Sequence, residues 1–169
     1  MELSSVPTDA ELAVWATQIA ADMQHHRLML VTAESCTGGW IAKTLTDLPG
    51  SSAWFDAGLV TYSYDAKASL LGVSRATLEH NGAVSEETAL EMVSGALDRF
   101  GAGVAVAVTG IAGPGGATPG KPVGTVWLGW AARRGRAIRV AAQLRHFRGD
   151  RETVRRMTVQ AALAGLLKR

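Results

Sequence analysis

The sequence lacks the features that mark secreted, membrane and disulfide-stabilised proteins. It has a single cysteine, Cys36, so no disulfide can form within the chain, and a reducing cytoplasm is the expected compartment. No apolar run approaches the ~20 residues that a membrane-spanning helix requires, so we expect no membrane partner. The first residues, M-E-L-S-S-V-P-T-D, place no basic segment ahead of an apolar one, and we expect no signal peptide.

An excess of charge of one sign is also lacking. The chain has 17 Lys and Arg against 15 Asp and Glu, and a net charge of +2 does not by itself indicate nucleic-acid binding. Aromatic residues, 6% of the chain, are too sparse for a base-stacking surface, so we expect no nucleic-acid partner. Nine arginines are nevertheless concentrated between residues 133 and 156. Such a cluster suits either a phosphate, on a small ligand or on nucleic acid, or a solvated protein surface.

Motifs for nucleotide cofactors and metals are absent as well. No Gly-x-Gly-x-x-Gly opens a helix, so a dinucleotide-binding fold has no support. Residues 115–121 read G-G-A-T-P-G-K, like the start of a P-loop, but Pro122 and a predicted strand follow where a hydroxyl residue and a helix are required. No spacing of His, Cys or carboxylate residues indicates zinc or a two-metal centre. We therefore predict no cofactor and no metal.

The sequence does contain an alternation of helix and strand patterns. With 169 residues and 47% hydrophobic composition, the chain suits a single domain over residues 1–169 with a full core. Strands are predicted at residues 28–31, 57–62, 104–108, 125–133 and 136–147. Helices are predicted to begin at or near Thr8, Trp40, Asp65, Ser74, Ser85 and Asp150. This order predicts an α/β fold, a three-layer α/β/α domain with a mixed, mostly parallel sheet and one antiparallel hairpin.

Residues 34–39, E-S-C-T-G-G, lie between the first strand and the next helix. A strand that passes through a tight glycine turn into a helix directs backbone N–H groups, here those of residues 36–39, into the turn. A hydroxyl or thiol there lies beside an oxyanion site, which makes Ser35 and Cys36 alternative nucleophiles. An ordinary strand-to-helix turn, with Ser35 and Thr37 as caps and Gly39 for close packing, is the competing interpretation.

A serine nucleophile needs a base that accepts its proton. None of the four histidines lies in a glycine-rich turn, so a Ser-His-Asp triad has little support. A lysine whose pKa is lowered by burial is the other candidate, and Lys67 follows a predicted strand end, where α/β proteins collect site residues. A plain surface lysine is the alternative for Lys67. Lys43 is expected to point to solvent, and Lys121 to contact a ligand from the long loop at residues 109–124.

Separate motifs follow one another along nearly the whole chain. They are T-A-E-S-C-T-G-G-W-I-A at 32–42, P-G-S-S at 49–52, V-T-Y-S-Y-D-A-K at 60–67, G-A-V-S-E-E at 82–87, T-G-I-A-G-P-G-G at 109–116, K-P-V-G-T-V at 121–126 and F-R-G-D-R at 147–151. Together they resemble the CinA C-terminal-domain family, the nicotinamide-nucleotide amidohydrolases. Several motifs that agree in order are more specific than any one of them. The chain resembles the stand-alone form of this family.

The resemblance implies a reaction and a set of residues. The reaction converts nicotinamide mononucleotide and water to nicotinic acid mononucleotide and ammonia, by a serine–lysine mechanism without a metal. By position in the motifs, Ser35 is the expected nucleophile and Lys67 the expected general base. Tyr62 is expected to orient the lysine or the substrate, and Thr109 to place a hydroxyl near the reacting centre. Contacts with the small-molecule nucleotide substrate are expected from Cys36, Thr37, Gly38, Gly39, Ser51, Ser52, Gly110, Arg151 and Arg155.

Two other functions remain compatible with the residues. One is an amidase for a different small amide, built from the same site residues. The other is a non-catalytic binding partner in competence or DNA damage, which the family name suggests and which only the arginine cluster supports. For a nucleotide substrate, at least one arginine between residues 145 and 156 is expected to contact the phosphate. The apolar hairpin strands include a sheet edge that needs cover, so we expect a homodimer.

Overall fold

The computed structural model describes residues 6–168 of the chain. Within this range the helices are α1 (Asp9–His26), α2 (Trp40–Thr46), α3 (Tyr64–Leu71), α4 (Arg75–Asn81), α5 (Glu86–Phe100) and α6 (Arg151–Leu166). The strands are β1 (Leu30–Glu34), β2 (Phe55–Val60), β3 (Val104–Gly110), β4 (Thr125–Arg134) and β5 (Ala137–His146). A short 3-10 helix, Ser51–Ala53, precedes β2. In the described range, no helix is both long and apolar enough to span a bilayer.

The strands form a mixed sheet in the order β2-β1-β3-β4-β5. β1 pairs in parallel with both β2 and β3, whereas β4 is antiparallel to β3 and to β5. The parallel part therefore consists of β2, β1 and β3, and the predicted hairpin β4–β5 lies at one edge. At the end of β1, Glu34 lies opposite Val60 on one side and Val108 on the other. The carboxyl ends of three strands thus lie side by side, which is where parallel sheets bind ligands.

Helices cover both faces of the sheet, which confirms the predicted three-layer α/β/α architecture. Val104, Val106 and Val108 of β3 face a core that includes residues of α1, α2 and α6. Ala105 and Ala107 face a second core that includes residues of α3, α4 and α5. This alternation follows from the two-residue period of a strand. Because both of its faces are buried, β3 is apolar along most of its length, as predicted for a central strand.

Helix starts coincide with capping residues that the sequence contains. Thr8 forms the predicted capping box at the start of α1, and Ser85 caps α5. For α3 the predicted cap is wrong, because the side chain of Ser63, and not that of Asp65, accepts the capping hydrogen bond. Asp65 lies one residue inside the helix, where its carboxylate forms an ion pair with Arg75.

Two strands are shifted relative to their predicted positions. β1 covers Leu30–Glu34 and not residues 28–31, and β2 covers Phe55–Val60 and not residues 57–62. β1 continues past residue 31 because its polar residues Thr32 and Glu34 are buried, at 0% and 1% exposure. A pattern that follows apolar residues ends the strand too early for this reason. The other three strands begin within one residue of the predicted positions.

The long loop after β3 begins at a position that only glycine suits. A Cβ atom on Gly110 would lie 2.7 Å from Val126 Cγ2 and 2.8 Å from the Thr125 carbonyl oxygen. Glycine therefore lets β3 and β4 stay paired up to the start of the loop. Further along, Thr118 and Lys121 form a small antiparallel bridge, and the strand β4 follows. The loop thus does not lead into the helix that a P-loop requires.

Candidate active site

Ser35 lies in the turn that follows β1, between the ends of β2 and β3. Its amide donates to the Val108 carbonyl at 3.0 Å, and the preceding Glu34 carbonyl accepts from the Thr61 amide at 2.8 Å. These bonds attach the turn to both neighbouring strands. The side chain of Ser35 belongs to a residue that is only 8% exposed, so the hydroxyl is largely shielded from bulk water. The sheet therefore sets the position of this hydroxyl.

Lys67 reaches Ser35 from α3 and is fully buried. Its Nζ donates to Ser35 Oγ at 2.9 Å, to the Thr61 carbonyl at 2.7 Å and to the Tyr62 carbonyl at 3.4 Å. All three acceptors are neutral oxygens, which leave the cation without a compensating charge in this cage. Burial lowers the pKa of Lys67 from its ordinary 10.5 to about 8. A neutral amine in this place is able to take the proton of the serine hydroxyl.

Glu34 points to the opposite face of the sheet from Ser35, because consecutive strand residues alternate. Its carboxylate accepts hydrogen bonds from backbone N–H groups around the start of α2. The donors are Gly39 at 3.1 Å, Ile41 at 3.0 Å and Ala42 at 2.8 Å. The carboxylate also accepts a hydrogen bond from the hydroxyl of Thr37 at 2.6 Å. Negative charge is favourable at the start of a helix, where the first amides have no partner within the helix. Glu34 therefore fixes the turn to α2.

The hydrogen bonds of the turn decide which amides remain for an oxyanion. Gly39 donates to the Glu34 carboxylate, and Gly38 donates to the Ser35 carbonyl at 3.1 Å. Within residues 6–168, the amides of Cys36 and Thr37 donate no hydrogen bond to another residue. The prediction that all four amides of residues 36–39 face the site is therefore wrong. Cys36 and Thr37 provide the donors that remain.

Cys36 faces the same side of the sheet as Glu34 and packs into the core formed with α1, α2 and α6. Burial raises the pKa of the Cys36 thiol to about 12. Near neutral pH such a thiol is almost entirely protonated, whereas the thiolate is the nucleophilic form. Of the two alternative nucleophiles, the geometry favours Ser35.

Tyr62 follows β2 and lies at the rim of the site, where it is 58% exposed. Its hydroxyl accepts a hydrogen bond from Arg151 Nη2 at 3.1 Å. Arg151, the first residue of α6, also donates from Nη1 to the Gly113 carbonyl at 2.6 Å. Because β2 and β3 flank β1, Arg151 connects the segment after β2 to the glycine loop (residues 111–124) after β3, across the turn that holds Ser35.

Thr109 lies beside Ser35, one position beyond the paired residues Glu34 and Val108. Its buried hydroxyl donates to the Ala83 carbonyl at 2.6 Å. The Ala83 amide in turn donates to the hydroxyl of Tyr64 at 3.2 Å. Thr109 therefore anchors the segment between α4 and α5 at the edge of the site, and Gly110 continues β3 into the glycine loop.

Arg155, predicted to contact substrate, binds the turn itself. It donates from Nε to the Cys36 carbonyl at 3.2 Å and from Nη2 to the Thr37 carbonyl at 2.8 Å. Its guanidinium carbon lies 5.2 Å from the centre of the Trp40 ring. The adjacent Arg156 also lies over Trp40, at 4.8 Å, but its hydrogen bonds go to the carboxylates of Asp9 and Glu152 and to the Pro7 carbonyl. The two neighbouring arginines therefore have different partners.

Ser51 and Ser52 lie at the end of the sheet where the parallel strands begin, opposite to the end that carries Ser35. The 3-10 helix that contains them precedes β2, whereas Ser35 follows the end of β1. Because β1 and β2 are parallel, the start of β2 lies opposite to the edge that carries Ser35. Ser51 and Ser52 therefore do not lie beside Ser35 of the same chain, and their contact with the substrate stays a prediction.

Some contributors to the site are not identified from the sequence. The support that Glu34 gives to the turn is one, because Glu34 lies six residues before α2 in the sequence and reaches its amides only through the fold. Lys121, predicted to contact a ligand, donates from Nζ to the Asn81 carbonyl at 2.7 Å. Lys43 points to solvent as predicted and forms an exposed ion pair with Asp47.

The side chains around Ser35 have the composition that acyl transfer requires. A hydroxyl is hydrogen-bonded to an amine of lowered pKa, and the same turn holds the amides of Cys36 and Thr37, which donate to no other residue in the described range. In residues 6–168, no group of three or more His, Cys, Asp or Glu side chains is arranged to hold a metal ion.

Comparisons with known proteins identify the family of the chain. Residues 13–169 match the family model described as the CinA C-terminal domain. The nicotinamide-nucleotide amidohydrolase PncC of Pseudomonas putida is 52% identical over 153 residues, which cover 90% of this chain and 93% of that protein. The protein of the same name from Escherichia coli K12 is 48% identical over 159 residues, 94% of each chain.

A solved structure also matches over almost the full length. The crystal structure of the competence/damage inducible protein CihA from Agrobacterium tumefaciens superposes with a TM-score of 0.88, at 48% identity and with 98% of both chains covered. Sequence and structure comparisons therefore indicate the same family. This protein belongs to the CinA C-terminal domain family.

Proposed function

We propose that the protein hydrolyses the carboxamide of nicotinamide mononucleotide to nicotinic acid mononucleotide and ammonia, with Ser35 as nucleophile and Lys67 as general base. The observation that carries the proposal is the 2.9 Å hydrogen bond from Lys67 Nζ to Ser35 Oγ. It occurs in a chain 52% identical to a relative named nicotinamide-nucleotide amidohydrolase. Amide hydrolysis needs a nucleophile, a base and donors for a negatively charged oxygen, and the residues around Ser35 suit all three roles.

The first half of the reaction transfers the acyl group to Ser35. Neutral Lys67 accepts the proton of Ser35 Oγ while this oxygen forms a bond to the carboxamide carbon. The carbonyl oxygen becomes negatively charged, and the amides of Cys36 and Thr37 donate to it. The C–N bond then breaks, and the nitrogen leaves as ammonia with the proton that Lys67 carried. The acyl group remains as an ester on Ser35.

The second half of the reaction uses water. Lys67 is neutral again and accepts a proton from a water molecule whose oxygen bonds to the ester carbon. The ester C–O bond breaks, and Ser35 Oγ recovers its proton from Lys67. Nicotinic acid mononucleotide leaves as a carboxylate after its acidic proton passes to solvent. One water is consumed and one ammonia is released in each cycle.

We assign the phosphate of the substrate to Arg151. Its acceptors, the Gly113 carbonyl and the Tyr62 hydroxyl, are neutral, so they leave its positive charge uncompensated. Arg156 lies five residues further along α6 and pairs with two carboxylates. A planar guanidinium at the rim of the site, held by neutral partners, is suited to bidentate contact with a phosphate.

The test of this function is ammonia release from nicotinamide mononucleotide by wild-type protein and by Ser35→Ala. We expect the variant to be at least ~1000-fold slower, because the nucleophile is lost. Ser74→Ala is the control, since the side chain of Ser74 is exposed and makes no capping hydrogen bond at the start of α4, and we expect its rate to stay within about twofold of wild type.

The outcomes of the ammonia-release test separate the role of Ser35 from the identity of the substrate. Ammonia release by Ser35→Ala at the wild-type rate would reject Ser35 as nucleophile. If folded wild-type protein released no ammonia from this compound but hydrolysed another small aromatic amide, the site would belong to an amidase of different specificity.

We also infer a cytoplasmic homodimer with no nucleic-acid partner. Cys36 is a free thiol, which suits a reducing compartment. The edge strand β5 exposes Ile138, Val140 and Leu144, each near 40% exposure, and a second copy would cover this edge. Sedimentation analysis is expected to give twice the mass of one chain, and a gel-shift titration with duplex DNA is expected to give no complex.

A further inference from the structure

The turn after Ser35 is bound by a residue from the far end of the chain. Arg155 of α6 donates two hydrogen bonds, to the carbonyls of Cys36 and Thr37. These carbonyls belong to the peptide groups that join Cys36 to Thr37 and Thr37 to Gly38, and a single planar guanidinium holds both.

Holding a carbonyl also sets the direction of the next amide. A trans peptide group is planar, and its N–H points to the opposite side from its C=O. When Arg155 fixes the Cys36 carbonyl, it therefore turns the N–H of Thr37 to the opposite side. Thr37 is one of the two residues of this turn whose amide donates to no other residue in the described part of the chain.

The positions of the helices show toward which face of the sheet the Thr37 N–H points. Arg155 approaches the turn from α6, which packs on the same face of the sheet as α1 and α2. Lys67 approaches Ser35 from α3, which packs on the opposite face. An amide that points away from Arg155 therefore points toward the face on which Ser35 Oγ and Lys67 Nζ meet.

We propose that Arg155 is a positioning residue that aims the Thr37 amide at the negatively charged oxygen formed when Ser35 attacks its substrate. This role rests on the proposed function and adds to it. The proposal gives two arginines of α6 different roles. Arg155 acts on the turn, whereas Arg151, whose hydrogen-bond acceptors are neutral, is assigned to the phosphate. Arg155 does not touch the reacting atoms and acts only through the backbone it holds.

The two roles for Arg155 predict different kinetics. A residue that aims an oxyanion donor affects the rate of the chemical step, whereas a phosphate ligand affects substrate binding. For Arg155→Met we expect kcat to fall by about 10 to 1000-fold while KM changes by less than about threefold, because one oxyanion donor contributes in this range. The same factor is expected with nicotinamide riboside, which has the carboxamide but no phosphate.

Arg156→Met is the matched control. Arg156 is the next residue on the same helix and lies over the same Trp40 ring, but none of its hydrogen bonds reaches the turn. We expect this variant to lose some thermal stability and to keep kcat within about threefold of wild type. A comparable loss of kcat in both variants would attribute the effect to general destabilisation and overturn the proposal.

Two further measurements separate positioning from folding. Arg155→Lys keeps the charge but cannot hold two carbonyls in one plane, so we expect an intermediate kcat. Millimolar guanidinium ion is expected to raise the kcat of Arg155→Ala severalfold and to leave Arg156→Ala unchanged. Guanidinium that rescues neither variant, while Arg155→Ala remains folded by circular dichroism, would count against the role.

The remaining outcomes distinguish this proposal from the proposed function. If Arg155→Met raised KM for nicotinamide mononucleotide and not for the riboside, Arg155 would be a phosphate ligand and the positioning role would be rejected. Normal kcat in Arg155→Met beside an active wild type would reject the role alone. Wild-type protein inactive on both compounds would reject the proposed function, and the positioning role with it.

Discussion

Glu34 and Ser35 are neighbours at the end of β1, yet their side chains lie on opposite faces of the sheet and meet different kinds of partner. On the lysine side, defined by Ser35 and Lys67, a cation is surrounded by neutral oxygens. The carboxylate side is defined by Glu34, Cys36 and Arg155. There the Glu34 carboxylate accepts hydrogen bonds from backbone amides, and the Arg155 guanidinium donates hydrogen bonds to backbone carbonyls.

The difference shows how one turn combines reactivity with rigidity. Burial without a compensating charge makes the protonated form of Lys67 unfavourable, which suits a group that must give up and accept protons. The charges on the carboxylate side are bonded to backbone groups of the turn, so they hold its shape and do not take part in proton transfer. The variants below are intended to disturb one side at a time.

Removal of the amine should have the largest effect. For Lys67→Met we expect turnover to fall by ~100 to 10,000-fold, the range that a general base contributes, while the buried apolar side chain keeps the fold. Lys43→Met is the control, because Lys43 lies in an exposed ion pair and should leave the rate unchanged. Ammonia release and the thermal midpoint are measured for both, and a Lys67→Met rate within tenfold of wild type would contradict the base role.

The lowered pKa of Lys67, about 8, predicts a pH dependence of the wild type. The base acts in its neutral form, so kcat/KM should rise about tenfold per pH unit below pH 8 and level off above it. Between pH 8 and 10.5 the unfolded chain keeps a proton that folded Lys67 has lost, so stability should also rise with pH in this window. Lys67→Met should lack this rise in denaturant titrations, and a wild-type rate that is flat from pH 6 to 9 would contradict the assignment.

Disturbance of the carboxylate side should have a moderate effect. Glu34→Gln keeps the shape but replaces one acceptor oxygen by a donor, which leaves amides at the start of α2 without a partner. We expect a loss of about 1 to 3 kcal/mol in the free energy of unfolding and a ~10 to 100-fold slower turnover from a displaced turn. Thr32→Val is the control, because it removes only the 3.4 Å contact to Glu34. Equal losses in both variants would contradict the assigned role of Glu34.

The Cys36 side chain should have the smallest effect on catalysis. Its thiol faces the core, and burial raises its pKa to about 12, so Cys36→Ala should keep turnover within about threefold of wild type. The free energy of unfolding should fall by roughly 1 kcal/mol, as is common for a truncated core side chain. Abolished turnover in Cys36→Ala, together with normal turnover in Ser35→Ala, would exchange the roles of the two residues.

The sequence predicts the parts of this molecule that depend on local pattern. The capping box of α1, the central strand β3 and the hairpin β4–β5 all follow from periodicity and turn residues. The position of β1 does not, because Thr32 and Glu34 are buried through contacts made elsewhere in the fold. Local pattern carries no information on such contacts.

The candidate site likewise contains residues that the sequence identifies and contacts that it does not. Lys67 and Ser35 are identified as a pair from a strand end, a glycine turn and the family motifs, and the structure brings them together. Ser51 and Ser52 belong to a matching motif but lie at the opposite end of the strands from Ser35, since a motif gives order along the chain and not position on the sheet. The partners of Arg155 lie more than 100 residues away in sequence, which no local pattern can reveal.

The contact between Arg155 and Thr37 spans 118 residues and has a consequence for synthesis on the ribosome. Ser35 and Lys67 both emerge early in translation, and domains fold in the order of their synthesis where they can. The carbonyls of Cys36 and Thr37 gain their hydrogen bonds from Arg155 only when α6, which is made last, has docked. On the proposed mechanism, a nascent chain therefore contains Ser35 and Lys67 before the Thr37 amide is held in place, and hydrolytic activity should report the completion of folding.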